Sequence, residues 1–296
     1  GDPARMMLDT TKATTDPEKY EIMYQAARER LGLDKPIYVQ YVNWITNMLK
    51  GDFGFSAVYR TDVIDMVGPP MRNTVILNVA SLVLVFAITI PLGISTAVHK
   101  FSTFDNVVQV STVIGYSLPA FIVALVCIVL FAIKIPIFPI SGVNTPGFEG
   151  TGWEKALDTM YHMVLPLLVM VLSSLGGITR YVRAAMIEAL SMDYIRTARA
   201  KGLREKVVIY SHAFRNALIP VVTIVTSWFV GIFGGSVVIE SMFMWNGIGK
   251  VLIDSLKQQD FSVVLAMNMF YVILTLTGNL IMDLLYCVVD PRVKLD

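Results

Sequence analysis

Charged residues are scarce in this sequence. They make up 16% of its 296 residues, whereas about 25% is typical of a soluble domain, and the mean hydropathy is +0.62. The net charge of +1 gives no general attraction to nucleic acid or another polyanion. Only two cysteines occur, Cys127 and Cys287, and both lie in apolar stretches, so neither a disulfide framework nor a thiolate metal site follows from them. This composition argues against a disordered chain, a nucleic-acid-binding protein and an ordinary soluble enzyme.

Five long runs contain no charged residue at all. A membrane-spanning helix needs about 20 predominantly apolar residues, and each run is long enough to supply one. Five fully buried helices of a soluble core are a much rarer source of this pattern. We therefore predict an all-α membrane protein in which residues 1–73 form a cap with short helices. The predicted spans cover residues 74–97, 107–132, 163–182, 216–239 and 262–288.

Basic residues predict how these spans are oriented. The alternate segments 98–106, 183–215 and the tail 290–296 carry most of the basic residues of the short loops. Because short basic loops stay in the cytoplasm, we place these segments and the C-terminus inside. The segments predicted to lie outside are 1–73, 133–162 and 240–261.

An N-terminus on the outside needs a route across the membrane. The sequence starts at Gly1 and shows no signal peptide of its own. We expect a further span to precede this residue, which would give six spans with both ends inside. A cleaved signal peptide is the alternative.

Several functional classes lack their characteristic residues. No Asp or Glu lies near the centre of a predicted span, which weakens the case for ion-coupled transport. No G-x-x-x-x-G-K-[ST] motif occurs that would bind the phosphates of ATP. His99, His162 and His212 stand in separate segments without the spacing of metal ligands. We predict neither a catalytic centre nor a resident metal or cofactor in this chain.

The basic segment 183–215 has an internal pattern of its own. Its first part favours a helix, Gly202 permits a left-handed turn, and a second helix is predicted from about Glu205. Cations near the end of the first helix suit the helix dipole. Such a lever could dock in a groove of a partner protein, and an ordinary basic loop at anionic lipid headgroups is the alternative.

This segment resembles a known permease motif. Residues 193–203, DYIRTARAKGL, and 212–223, HAFRNALIPVVT, are similar to the EAA loop of ABC importer permeases, and more narrowly to that of the dipeptide/oligopeptide permease family. Residues 196–198 replace the Glu-Ala-Ala of the general motif, as is usual in this branch, and residues 245–247 depart from the Pro-Gly that the family often has. The resemblance covers essentially the whole chain. Further matching stretches are 1–4, 31–36, 51–56 and 290–292.

The resemblance implies the fold of a type I (MetI-like) ABC importer permease, with five spans in this chain and a first span before them. It implies import of oligopeptides or dipeptides by alternating access across a bacterial or archaeal inner membrane. The implied partners are a second permease chain, two ATPase subunits that hold ATP and Mg, and an outer peptide-binding protein. Gly202 is the foremost coupling residue. The implied ATPase-docking surface is Asp193, Tyr194, Arg196, Thr197, Ala198, Arg199, Ala200, Lys201, Gly202 and Leu203.

Two other groups of candidate residues follow from their positions. Trp245, Asn246 and Gly247 in the outer segment are candidates for an outer gate or a contact with the binding protein. Polar residues within the spans are candidates for the pathway lining, although hydrogen bonds between helices are their more common role. An importer for nickel or another small solute, an ion-coupled transporter and a membrane scaffold are the alternative functions. The pathway candidates are Asn78, Ser117, Ser173, Ser227 and Asn279.

Overall fold

Helices dominate the computed structural model of this chain. It describes residues 3–6, 8, 16–30, 32–56, 58–217, 228 and 231–289. The elements in chain order are α1 Pro3–Met6, α2 Pro17–Arg30, α3 Ile37–Leu49, β1 Phe55–Ser56, β2 Thr61–Asp62, α4 Val63–Val98, α5 Thr103–Ser117, α6 Ala120–Ile128, α7 Gly152–Ser191, α8 Asp193–Ala200, α9 Glu205–Val207, α10 Val237–Met242, α11 Ile248–Lys257 and α12 Phe261–Val289. The π-helical turns Val129–Lys134 and Val208–Phe214 extend α6 and α9. β1 and β2 form a short antiparallel pair that leads directly into α4.

Three helices in the described part of the chain are long and apolar enough to cross a membrane: α4, α7 and the portion of α12 from Phe261 to Ile281. The predicted spans 74–97 and 163–182 lie within α4 and α7, and the predicted span 262–288 lies within the whole of α12, Phe261–Val289. α4 and α7 both extend past the predicted boundaries, and the 40 residues of α7 make a helix of about 60 Å, twice the thickness of the hydrocarbon core. The cap 1–73 therefore includes the start of α4, and the segment 183–215 includes the end of α7.

The predicted span 107–132 falls on a bent pair of helices. The structure divides it into α5 and α6, which meet at an angle of 95°. Pro119 causes the break, because a proline forces the residue before it out of the helical conformation. Leu118 accordingly has an extended backbone with ψ of 128°.

The predicted span 216–239 lies largely outside the described residues. Its predicted end is wrong, because the chain turns after Gly231 and α10 is a separate short helix. Gly235 allows the turn to pack closely on the start of α11: a Cβ atom at this position would lie 2.2 Å from the backbone nitrogen of Gly249.

One end of the helical bundle joins the two basic segments. Asp105, in segment 98–106, is buried and accepts hydrogen bonds from Arg183, in segment 183–215. The guanidinium donates from Nε to Oδ1 at 2.7 Å and from Nη2 to Oδ2 at 2.6 Å, a two-point pairing. These segments therefore share one end of the molecule, which we term the coupling end.

The other end joins the segments that the charge pattern assigns to the outside. The Gly142 amide donates to the Phe243 carbonyl at 2.9 Å, and the Ser56 hydroxyl donates to the Asp260 carboxylate. The cap, the segment 133–162 and the segment 240–261 therefore meet at this end, which we term the cap end. α4 and α7 connect it to the coupling end.

Candidate coupling site and pathway

Helix α8 is a short amphipathic helix at the coupling end. α7 stops at Ser191 because Met192 has an extended backbone, with ψ of 150°, and Asp193 begins the new helix. Ile195 and Ala198 are buried, whereas the other side chains of α8 are exposed. One face of α8 is thus anchored to the protein, and the opposite face is available to another molecule.

The anchor of α8 connects it to the long helices. Ile195 and Ala198 belong to one hydrophobic cluster with side chains from α4, α7 and the π-helical turn after α9. A displacement of α8 would therefore act on both long helices. Other members of this cluster include Ile94, Val182, Met186, Val208, Ile209 and Ala213.

α8 ends in a Schellman motif at Gly202. The Gly202 amide donates to the Arg199 carbonyl at 2.9 Å, and the Leu203 amide donates to the Ala198 carbonyl at 3.4 Å. Gly202 has φ of 74°, in the left-handed region that residues with a Cβ atom resist. A Cβ atom at this position would meet no atom of the described residues within 4 Å, so conformation, and not space, requires glycine. The turn predicted at Gly202 is confirmed.

An ion pair closes this turn. Arg199 donates from Nη2 to Glu205 Oε1 at 2.6 Å and from Nε to Oε2 at 3.2 Å. The Arg199 guanidinium lowers the pKa of the Glu205 carboxyl below its ordinary value, so the carboxylate is ionised at neutral pH. The pair links α8 to α9 across Gly202 and favours one angle between them.

The structure brings the predicted docking residues together on α8 and its C-terminal turn. Thr197 and Arg196 interact within α8, through Thr197 Oγ1 donating to the Asp193 carbonyl at 3.1 Å and Arg196 Nη1 lying 3.5 Å from Asp193 Oδ1. Ala198 is 5% exposed, so we assign it to the anchor instead of the docking face. The exposed members are Asp193, Tyr194, Arg196, Thr197, Arg199, Ala200, Lys201, Gly202 and Leu203.

A cavity lies between α5 and α7, close to the coupling end. It consists of two adjoining pockets of about 410 and 460 Å³ that share Tyr116, Gly177 and Tyr181. Ser173, one of the predicted pathway residues, also lines it. The Ser173 hydroxyl has no hydrogen-bond partner among the described residues. Its oxygen is buried in this conformation, so Ser173 lines the cavity without presenting an accessible hydroxyl, and its role in the pathway stays a prediction.

Sequence reasoning did not select Arg180, which lines the same cavity. The available signal was its position, since Arg180 is the charge that ends the charge-free run 159–179. It ends that charge-free run but lies within the predicted span 163–182, and it is absent from the predicted pathway residues.

Asn78 holds a turn in place on the cap side of this cavity. Its side-chain amide donates to the carbonyls of Ile232 at 2.8 Å and Gly234 at 3.0 Å. Asn78 also lines a smaller cavity of about 300 Å³ with Ser81 and Trp228. Its hydrogen bonds give it a structural role, whether or not substrate passes beside it.

The other pathway candidates are dispersed. Ser117 is exposed and donates to the Val113 carbonyl of its own helix at 2.7 Å. Asn279 is exposed on α12. Ser227 lies outside the described residues. Of the two described positions, neither Ser117 nor Asn279 lines the cavity of Ser173.

The three outer-gate candidates have different environments. Trp245 is fully buried, and its Nε1 donates to the Asn73 carbonyl at 3.1 Å. Asn246 is exposed, although its carbonyl accepts from the Asn73 side chain at 2.8 Å. Gly247 must lack a Cβ atom, which would lie 2.4 Å from Glu240 Cδ. In this conformation Asn246 is the side chain that an outside partner can reach.

A buried carboxylate organises this part of the cap end. Glu240 accepts hydrogen bonds from Thr74 Oγ1 at 2.8 Å and from the Lys250 amide at 3.0 Å. Thr74 Oγ1 in turn accepts from the Ile248 amide at 2.9 Å. Glu240 and Thr74 thereby cap the start of α11 and connect it to α4. In the sequence, Glu240 only marks the end of the charge-free run 216–239.

Residues 89–295 match the family described as binding-protein-dependent transport system inner membrane component. The matched region contains α8, Gly202 and the cavity between α5 and α7. The family match therefore covers both the candidate coupling site and the candidate pathway.

Individual relatives match over nearly the full chain. The oligopeptide transport system permease protein AppB of Bacillus subtilis is 38% identical over 99% of this chain and 90% of its own length. The glutathione transport system permease protein GsiC of Escherichia coli K12 is 33% identical over 99% of this chain and 89% of its own length. A chain of the MetNI methionine ABC transporter superposes with a TM-score of 0.53 at 16% identity, over 74% of this chain and 95% of that chain. The last likeness supports the MetI-like fold alone.

Proposed function

This chain belongs to the family of binding-protein-dependent transport system inner membrane components, and we propose that it is a permease subunit of an ATP-driven importer of peptides. The family consists of membrane permeases, so the chain is not itself an enzyme. Relatives named for oligopeptides and for glutathione, itself a small peptide, support the substrate class. The exposed, anchored helix α8 is the observation that carries the mechanism.

Transport requires that α8 transmit a movement to the membrane helices. Two ATPase subunits bind ATP and Mg and contact the exposed face of α8. Because Ile195 and Ala198 share one hydrophobic cluster with side chains of α4 and α7, movement of the ATPases shifts those helices together with α8. The helices then alternate between arrangements that open the pathway to opposite sides of the membrane.

The orientation of the chain in the membrane follows from the side on which the ATPases bind ATP. The coupling end and the C-terminus face the cytoplasm, where the ATPases lie. The cap end faces outward and receives peptide from a soluble binding protein. A second, similar permease chain completes the pathway, since residues that line the cavity between α5 and α7, such as Tyr116, Gly177 and Tyr181, are exposed in the single chain.

Purification of the chain with its native partners tests this function. We expect two ATPase subunits and a second permease to co-purify, and we expect peptide delivered by the binding protein to stimulate ATP hydrolysis in proteoliposomes. Solute flux by the purified chain alone, or stimulation by nickel and not by peptide, would contradict the proposal.

Two substitutions of Gly202 test the role of α8. Gly202→Val should uncouple ATP hydrolysis from peptide uptake, because a β-branched residue in a left-handed conformation costs about 1–2 kcal/mol and distorts the turn. Gly202→Asn should retain most of the coupling, since asparagine adopts this conformation more readily. The measurement is the ratio of peptide imported to ATP hydrolysed in proteoliposomes.

Both substitutions place a side chain in open space, so they differ mainly in backbone preference. Equal loss of coupling in both variants would show that a partner needs a bare glycine surface. Normal transport by Gly202→Val would disprove the coupling role of this turn. Insertion of both variants in the membrane, measured by their yield, is the control.

A further inference from the structure

Arg180 is a cation without an acidic partner on α7. It makes no ion pair or hydrogen bond within the part of the chain that the structure describes. Arg183 lies three residues, or about 4.5 Å, further along the helix axis. Its side chain, by contrast, is paired with Asp105. On its other side Arg180 adjoins the charge-free run 159–179. The unpaired charge is thus the deeper of the two in the membrane.

An arginine at this depth is costly to bury and therefore indicates a function when it faces a cavity. Arg180 is exposed and lines the pocket of about 460 Å³ between α5 and α7. The close crossing of these helices shapes that pocket, because Gly176 packs against the Thr112 carbonyl. At Gly177, the next residue, the cavity is open, with no described atom within 4 Å of the position of a Cβ.

Two tyrosines line the cavity beside Arg180. Tyr116 and Tyr181 line both of its pockets, and Ser173 lines the adjoining one. The cavity at the cap end differs, because apolar side chains and a glycine form its whole lining. Hydroxyl donors next to a guanidinium with no counter-ion suit an anionic ligand.

We propose that Arg180 binds the C-terminal carboxylate of the peptide as it passes between α5 and α7. This inference rests on the proposed function and specifies how the pathway recognises its substrate. A carboxylate matches the guanidinium fork with two parallel hydrogen bonds. Every unblocked peptide carries this group whatever its side chains, so such a site accepts many sequences. The exposed position of Arg180 weakens the pair and allows the peptide to leave.

A pair of peptides that differ in one group tests the proposal. The assembled transporter, with its ATPases, second permease and binding protein, imports tri-alanine with a free carboxylate or as its C-terminal amide. The measured quantity is the ratio of acid uptake to amide uptake, and dividing the variant's ratio by the wild-type ratio removes any preference of the binding protein. We expect this ratio to be about fivefold lower in Arg180→Gln, a partial effect because the pair is solvated.

Two further variants test whether the guanidinium of Arg180 itself pairs with the carboxylate. Arg180→Lys keeps the charge without the guanidinium fork and should give a ratio between those of the wild type and Arg180→Gln. This variant also tests the site if Arg180→Gln assembles poorly. Lys100→Gln removes an exposed charge from the same end of the molecule, away from this cavity, and should leave the ratio unchanged.

Three outcomes would count against either the carboxylate site or the proposed function, and they can be distinguished. An unchanged ratio in Arg180→Gln would overturn the carboxylate site while leaving peptide transport established. Equal loss of acid and amide uptake that depends on the fraction of anionic lipid would assign Arg180 to a lipid phosphate and would also overturn that site. Absence of peptide uptake by the wild-type transporter would instead refute the proposed function.

Discussion

At the residue scale, two adjacent glycines in α7 face different surroundings. A Cβ atom at Gly176 would lie 2.6 Å from the Thr112 carbonyl oxygen, whereas one at Gly177 would meet nothing described within 4 Å. In a helix, alanine is favoured over glycine by about 1 kcal/mol, but overpacking costs about 1–3 kcal/mol. We therefore expect Gly176→Ala to lower the apparent melting temperature in detergent, and Gly177→Ala to maintain or raise it. A similar loss in both variants would contradict the close crossing of α5 and α7.

Individual residues differ in how far the sequence reveals their roles. The turn at Gly202 was predictable because a Schellman motif depends on a few neighbouring residues. The pair of Asp105 with Arg183 was not, because it joins positions far apart in the chain and depends on how α5 and α7 pack. For the same reason the sequence could not bring Arg180 and Tyr116 to one cavity.

At the element scale, the charge-free runs locate helices but not their bends. They predicted the positions of α4, α7 and α12 because a run of apolar residues reports contact with lipid. They gave the span 107–132 without the 95° bend between α5 and α6, because composition carries no information on the direction of the chain. Pro119 is visible in the sequence, but neighbouring helices often accommodate a proline within a span.

The angle between α8 and α9 depends on two unequal restraints. The backbone of Gly202 is the stronger, since the exposed pair of Arg199 with Glu205 is weakened by water and salt. We expect Glu205→Gln to lower the ratio of peptide imported to ATP hydrolysed by less than about twofold, a smaller loss than in Gly202→Val. Because the pKa of Glu205 is lowered, the pair is present at neutral pH and is lost as the pH falls through that lowered value.

Salt and a matched variant check this interpretation. High salt should bring the wild-type ratio close to that of Glu205→Gln and should not affect the variant. Glu188→Gln removes an exposed carboxylate from the end of α7 and should leave the ratio unchanged. A loss in Glu205→Gln as large as that in Gly202→Val would mean that the ion pair, and not the glycine, determines the angle.

At the scale of the whole molecule, the distribution of basic residues and the contacts within the chain divide the segments between the spans into the same two groups. The Asp105–Arg183 pair joins 98–106 to 183–215, and the hydrogen bond between Gly142 and Phe243 joins two of the three segments at the cap end. Contacts within the chain establish which segments lie together. They do not establish which group faces the cytoplasm, and that assignment rests on the distribution of basic residues.

Labelling of single cysteines with a membrane-impermeant maleimide tests that assignment. Lys155 lies near the start of α7, about 54 Å along the helix from its end at Ser191, so the approximately 30 Å hydrocarbon core separates it from Lys206. In a Cys127→Ala/Cys287→Ala background, we expect Lys155→Cys to react in intact cells. Lys206→Cys and Lys100→Cys should react only after permeabilisation, since both lie in basic segments at the coupling end. Labelling in the reverse pattern would place α8 outside, where no ATPase subunit could reach it, and would refute the coupling mechanism as a whole.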